Sequence, residues 1–171
     1  MKVLFTGASS FTGYWFARAL SEAGAHVVAP LRASAISYGE GARAERVKRL
    51  KAVAEIVDEA PFGSDRFMGL AKAGGYDLLC HHAAHVGDYR SPDFDIACAL
   101  AENTANLRAV LDALARGGLK GVVLTGSVFE QGEGAGEAGQ DGRGRHDGVG
   151  AVGAEAVAAR ALVDRPGGEL A

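Results

Sequence analysis

Two stretches of this 171-residue chain hold residue types and spacings suited to ligand chemistry. The first is Thr6-Gly7-Ala8-Ser9-Ser10-Phe11-Thr12-Gly13. Gly7 permits a tight turn and a close backbone approach to a diphosphate, and Gly13 lets a following helix pack against the strand before it. The N–H groups at such a helix start, from Phe11 onward, face an anion, and the helix dipole favours it. Ser10 stands between the glycines. Its hydroxyl can donate to a phosphate oxygen, while its Cβ can hold the diphosphate further out. The plain alternative is a strand–helix turn with no ligand. The second stretch is Val27-Val28-Ala29-Pro30-Leu31-Arg32. Enzymes that bind NAD carry an acid at the end of such a strand for the ribose hydroxyls. Here Leu31 stands in that place and Arg32 follows it. An arginine there accommodates a 2′-phosphate through charge-assisted hydrogen bonds. NADP is therefore the expected cofactor ahead of NAD, unless Arg32 is an ordinary solvated loop residue.

These residues need a frame, and the punctuation of residues 1–132 supplies one. Lys2–Thr6 reads as a short buried strand. Phe11–Ala23 reads as a helix with Phe11, Trp15, Ala19 and Leu20 on one face, stopped by Gly24. His26–Leu31 is a second strand. Glu45–Lys51 reads as helix, Val53–Val57 as strand, Asp65–Ala73 as helix and Asp77–His81 as strand. Phe94–Arg116 reads as one long helix, because Ile96, Leu100, Leu107, Leu111 and Leu114 recur at helical spacings. Gly121–Thr125 is the last strand. Strands alternating with helices predict right-handed crossovers and a parallel sheet. The fold class expected is α/β, a doubly wound, Rossmann-like three-layer αβα sandwich with about five strands.

At this point the chain resembles a known family. The glycine loop is similar to the Thr-Gly-x-x-Gly-x-x-Gly fingerprint of the extended short-chain dehydrogenase/reductases, including the NAD-dependent epimerase/dehydratase branch, with Ser10 at the middle glycine. Cys80-His81-His82-Ala83-Ala84 resembles the end of the family's fourth strand, where small residues leave room for the cofactor; Ala83 and Ala84 match, and His82 replaces an apolar residue. Asn103 resembles a family asparagine that bonds the backbone of a neighbouring strand. Val122-Val123-Leu124-Thr125-Gly126-Ser127 resembles the end of the fifth strand. The resemblance implies that Ser127 is the catalytic hydroxyl, bonded to the substrate oxygen; read alone, it is a polar strand-end residue. Tyr89 and Arg90, in the polar loop after the fourth strand, are candidates for substrate contact or for ordinary exposure.

The resemblance also implies an acid/base pair, Tyr-x-x-x-Lys, some 20 to 30 residues after Ser127. A tyrosine is a poor base at neutral pH without a neighbouring cation. No tyrosine follows Tyr89 and no lysine follows Lys120. Residues 133–171 change character: 10 glycines and 9 alanines among 39 residues, and no aromatic side chain. That tail is expected to be loop or disorder, with a helix by propensity at 151–163. Its composition predicts an out-of-frame reading of a GC-rich gene or a truncated derivative. Residues 1–132 are then the dinucleotide-binding domain, and activity is expected to be weak or missing.

Composition narrows the remaining classes. A net charge of −3, from 18 basic and 21 acidic residues, gives no broad field for nucleic acid. No apolar run reaches the roughly 20 residues that span a bilayer, and the N-terminus lacks a signal-peptide core. Two cysteines are too few for a disulfide framework, so the cytoplasm is the expected compartment. His81, His82 and His85 suggest a metal, but adjacent strand residues point to opposite faces and no Cys or carboxylate completes a set nearby. Buried or cofactor-facing histidines are the preferred reading. The functions left are three: the cofactor half of an oxidoreductase or sugar-nucleotide epimerase that moves hydride to or from a small-molecule substrate, a non-catalytic dinucleotide sensor, and a non-functional product. A homodimer is compatible with each.

Overall fold

The computed structural model describes residues 1–85 and 93–125. The chain divides into two compact units. The first comprises Met1–Ala83 and Ala105–Leu124 and holds the sheet. Its elements in order are β1 (Lys2–Thr6), α1 (Phe11–Glu22), β2 (His26–Pro30), α2 (Ala42–Leu50), β3 (Glu55–Val57), α3 (Asp65–Ala73), β4 (Leu78–His81), α5 (Leu107–Arg116) and β5 (Gly121–Leu124). A short 3-10 turn at Ala35–Tyr38 follows β2. The second unit contributes residues 84–85, 93–104 and 125 to the described set, with α4 (Ile96–Asn103) its one regular element there.

The five strands are all parallel and lie in the order β3-β2-β1-β4-β5. Alternation along each strand builds two cores. Val3 and Phe5 of β1, Val27 and Ala29 of β2 and Cys80 of β4 pack with Tyr14 and Ala17 of α1 and Val47 and Leu50 of α2. Leu4, Val28 and Leu79 point the other way, into Phe67 and Ala71 of α3 and Val110, Ala113 and Leu114 of α5. A sheet covered on both faces needs strands without a polar side, which is why these runs are apolar throughout.

The helices show where periodicity misleads. The buried face of α1 is Gly13, Tyr14 and Ala17, while Phe11 and Trp15 are 67% and 49% exposed. Of the apolar stripe expected through Phe11, Trp15, Ala19 and Leu20, the first three are therefore on the outside, and Leu20 packs against the core. Gly13 and Ala17 let the helix lie close to the sheet, and Tyr14 fills the core beside them. The long helix expected over 94–116 is two helices. Asn106 adopts the left-handed conformation, φ 54°, and its Nδ2 donates to the Gly63 carbonyl at 2.7 Å. That tertiary bond competes with helix continuation, and an asparagine tolerates the left-handed region better than most residues. The strands begin or end within two residues of the expected bounds.

Candidate functional site

The sheet reverses its winding between β1 and β4. After β1 the chain moves to one side, to β2 and β3; β4 and β5 lie on the other. The chain thus leaves β1 and β4 toward opposite sides of the sheet, which makes the carboxyl ends of these two strands its topological switch point. Ligands of doubly wound sheets sit there.

Gly7 follows β1 with φ +77°, a conformation that suits glycine. A Cβ on it would lie 2.7 Å from the Ala83 nitrogen and 2.8 Å from the His82 carbonyl carbon. The β1–α1 turn and the turn after β4 are thus in backbone contact. A Cβ on Gly13 would run into the Gly7 carbonyl oxygen. Both glycines expected at the loop are required by space.

Ser10 is the N-cap of α1. Its Oγ accepts from the Gly13 N–H at 3.0 Å, and its own N–H donates to the Gly7 carbonyl at 3.0 Å. The cap explains how the loop tolerates a serine here: φ is −70°, open to any residue. The hydroxyl proton remains available to donate outward. Four N–H groups at a helix start lack intrahelical partners. Here the cap and turn satisfy those of Ser10 and Gly13. Those of Phe11 and Thr12 make no hydrogen bond among the described residues. Two glycines required by space and the N–H groups of Phe11 and Thr12 form a backbone cradle of the kind that suits an anion.

The strand ends are pinned by one hydroxyl. Thr6 Oγ1, fully buried, accepts from the N–H groups of His82 and Ala83, both at 3.1 Å, and lies 2.8 Å from His81 Nδ1. A hydroxyl has one proton and two acceptor sites. With two N–H donors already on it, Thr6 keeps its own proton to donate, and His81 Nδ1 stands within reach of it. The next histidine reaches the cradle itself: His82 Nε2 is 2.9 Å from Thr12 Oγ1. Burial, and then the neighbouring His81, hold the His82 pKa below the ordinary 6.5. Burial alone pushes the Cys80 thiol up, so it is not an activated nucleophile.

At the adenosine side, Leu31 is a core residue, 2% exposed, with its N–H on the Val57 carbonyl and its carbonyl on the Ala60 N–H. Arg32 follows it and is exposed. Asp58, just past β3, accepts from the Ala35 N–H at 2.9 Å and so ties down the loop that carries Arg32. Arg46 of α2 donates from Nε to the Ser9 carbonyl at 3.1 Å, which sets a guanidinium against the glycine loop. Neither Arg46 nor the His82–Thr12 pair was legible beforehand. They join residues 37 and 70 positions apart, with no spacing to mark them.

The structure thus brings Gly7, Ser10, Phe11, Gly13 and Ala83 to one end of the sheet. Ala84 is the first residue of the second unit and is exposed. In that unit Asn103, buried, accepts from the His85 N–H at 2.6 Å and donates to its carbonyl at 3.4 Å; it holds backbone as expected, but in the segment after β4 and not in a strand. Ser127, Tyr89, Arg90 and the tail from 133 lie outside the described residues. Among the described residues no group of three or more His, Cys, Asp or Glu comes together as a metal site, and no helix is long and apolar enough to cross a membrane.

No protein-family model matches the chain, and no curated protein matches it in sequence. Solved structures do match in shape. The UDP-glucose-4-epimerase of Stenotrophomonas maltophila, with bound NAD and formylated UDP-arabinopyranose, has a TM-score of 0.69 at 21% identity, over 96% of this chain and 48% of its own. The UDP-glucose 4-epimerase of Thermotoga maritima, with UDP-glucose, has a TM-score of 0.71 at 18% identity, over 95% and 50%. A short chain dehydrogenase/reductase family protein has a TM-score of 0.61 at 20% identity, over 95% and 65%. The fold is a Rossmann fold. The chain spans about half the length of the two epimerases. In this Rossmann fold the glycine loop occupies the turn after β1, where the winding reverses.

Proposed function

We propose that the chain binds a nicotinamide dinucleotide across the carboxyl ends of β1 and β4, with NADP preferred over NAD. The observation that carries this reading is the cradle: Gly7 and Gly13 at positions where no Cβ fits, beside two helix-start N–H groups that have no partner among the described residues. A structural neighbour described with bound NAD supports the class of ligand. The preference for NADP rests on charge. Arg32 follows β2 where NAD enzymes place an acid, and Arg46 stands against Ser9 with one of its five donors spent.

The chemistry such a cofactor supplies is hydride transfer to or from a secondary alcohol or ketone, as in the oxidoreductases and sugar-nucleotide epimerases that this chain resembles. In this reading Gly7, Ser10, Phe11 and Gly13 hold the diphosphate, Arg32 the adenosine ribose, and Ala83 and Ala84 leave room for the cofactor. Ser127 is proposed to bond the substrate oxygen. With no tyrosine or lysine after Lys120, Ser127 has no acid/base partner downstream in this sequence. That observation favours binding without efficient turnover, so a dinucleotide sensor is the second reading.

The test is a fluorescence titration with NADPH and NADH. NADPH should bind about tenfold tighter, the scale of one charge-assisted contact. Arg46→Ala and Arg32→Ala should each narrow that gap while leaving NADH binding nearly unchanged. Equal affinity for both would remove the NADP preference. Failure of either to bind at about 1 mM, a weak-binding limit, would overturn the reading.

A further inference from the structure

His82 and Thr12 carry an inference that rests on the dinucleotide reading and deepens it. Thr12 is exposed at the second position of α1, and His82 is half-buried just past β4. The imidazole packs edge-on against Phe16, with ring centroids 5.5 Å apart, and tilted against Phe5 at 6.1 Å. Its Nε2 meets Thr12 Oγ1 at 2.9 Å, while its Nδ1 is buried with no hydrogen-bond partner among the described residues. Burial keeps the ring neutral near pH 7, so one proton is shared between two nitrogens. A buried N–H without an acceptor is the rarer defect in folded proteins. The proton therefore belongs on Nε2, where Thr12 Oγ1 accepts it, and Nδ1 is left with a bare lone pair.

This assignment fixes what Thr12 can do. Once its oxygen accepts from His82, its own O–H proton must go elsewhere. The hydroxyl stands at the helix end where the Phe11 and Thr12 N–H groups also have no partner among the described residues. In the opposite tautomer the hydroxyl would donate to His82 and turn lone pairs toward that end, which would repel an anion.

We propose that Thr12 donates its hydroxyl proton to a diphosphate oxygen of the bound dinucleotide, and that His82 is the positioning residue that keeps this hydroxyl a donor. The histidine thereby acts on cofactor affinity through Thr12, without touching the cofactor itself.

Calorimetric titration of the full 171-residue chain with NADPH and with NADH tests this. Thr12→Val should weaken both by about tenfold, the scale of a lost hydrogen bond to a charged group. The loss should be equal for the two, because they share the diphosphate. Thr12→Ser should bind as the wild type does. His82→Leu should weaken both by less, and His82→Gln, whose side-chain amide can donate to Thr12, should recover most of the loss. In the Thr12→Val background His82→Leu should have no further effect. Unchanged melting temperatures would show that the fold is intact. Wild-type affinity in Thr12→Val, a loss confined to NADPH, or an undiminished His82→Leu effect in the Thr12→Val background would each overturn the proposal while leaving the dinucleotide reading in place. If the wild-type chain binds neither nucleotide, both fall together.

Discussion

The two ends of the sheet are built on opposite plans. At the amino ends of the strands, polar groups close on one another. Asp77 donates its N–H to the Lys2 carbonyl and accepts from the Lys120 N–H on its own carbonyl, both at 2.8 Å. Its carboxylate accepts from the Lys2 N–H at 2.7 Å and from Lys120 Nζ at 2.6 Å. One aspartate thus joins the starts of β1, β4 and β5. At the carboxyl ends, Thr6 joins β1 to the turn after β4 in a similar way, but among the described residues nothing meets the donors of Phe11 and Thr12 in the loop beyond it. A satisfied end contributes stability. An end that holds its backbone rigid and still presents donors can bind.

Substitutions at the two ends should separate these roles. The largest effect is expected from Gly7→Ala, which puts a Cβ on a left-handed residue within 3 Å of the backbone of His82 and Ala83. It should destabilise the fold by about 2–4 kcal/mol and abolish nucleotide binding. Urea unfolding with an unchanged midpoint would show that the two turns are not packed together. Thr6→Val keeps the shape but leaves two N–H groups and His81 Nδ1 without the hydroxyl. We expect a loss of about 2–3 kcal/mol and weaker binding, since the turn under the cradle is loosened.

The smallest effect sharpens the contrast. Asp77→Asn should lower the melting temperature and leave NADPH affinity unchanged. Its carboxyl is held below the ordinary 3.8, first by the Lys120 hydrogen bond and then by the Lys2 N–H. A carboxylate whose pKa is lower in the folded state stabilises the fold above the unfolded value, and this contribution fades as pH falls through the folded value. The melting difference between wild type and Asp77→Asn should therefore be full at neutral pH and shrink below about pH 4, the carboxylate range. A difference that persists unchanged in acid would assign it to something other than charge.

The glycine loop and the alternation of strands and helices were legible because their causes are local. Gly7 and Gly13 answer to steric limits within a few residues, and the apolar strands answer to burial on both faces. What the sequence hid depends on distant partners. The outward placement of Phe11 and Trp15 follows from how closely α1 meets the sheet. The break before Leu107 follows from a bond between Asn106 and Gly63. Leu31 seemed only a missing acid, yet it is a core residue between β3 and the turn after it. Thr6, His82 and Arg46 find partners across 76, 70 and 37 positions, and no periodicity records such pairs.

The proposed nucleotide cradle lies at the carboxyl end of the sheet. Hydrogen exchange with and without NADPH tests it most directly. Protection should rise at Phe11 and Thr12 and in the turn at His82 and Ala83, with no change at Lys2, Asp77 and Lys120. Protection at the amino end instead, or no change at either end with NADPH at about 1 mM, would contradict the account.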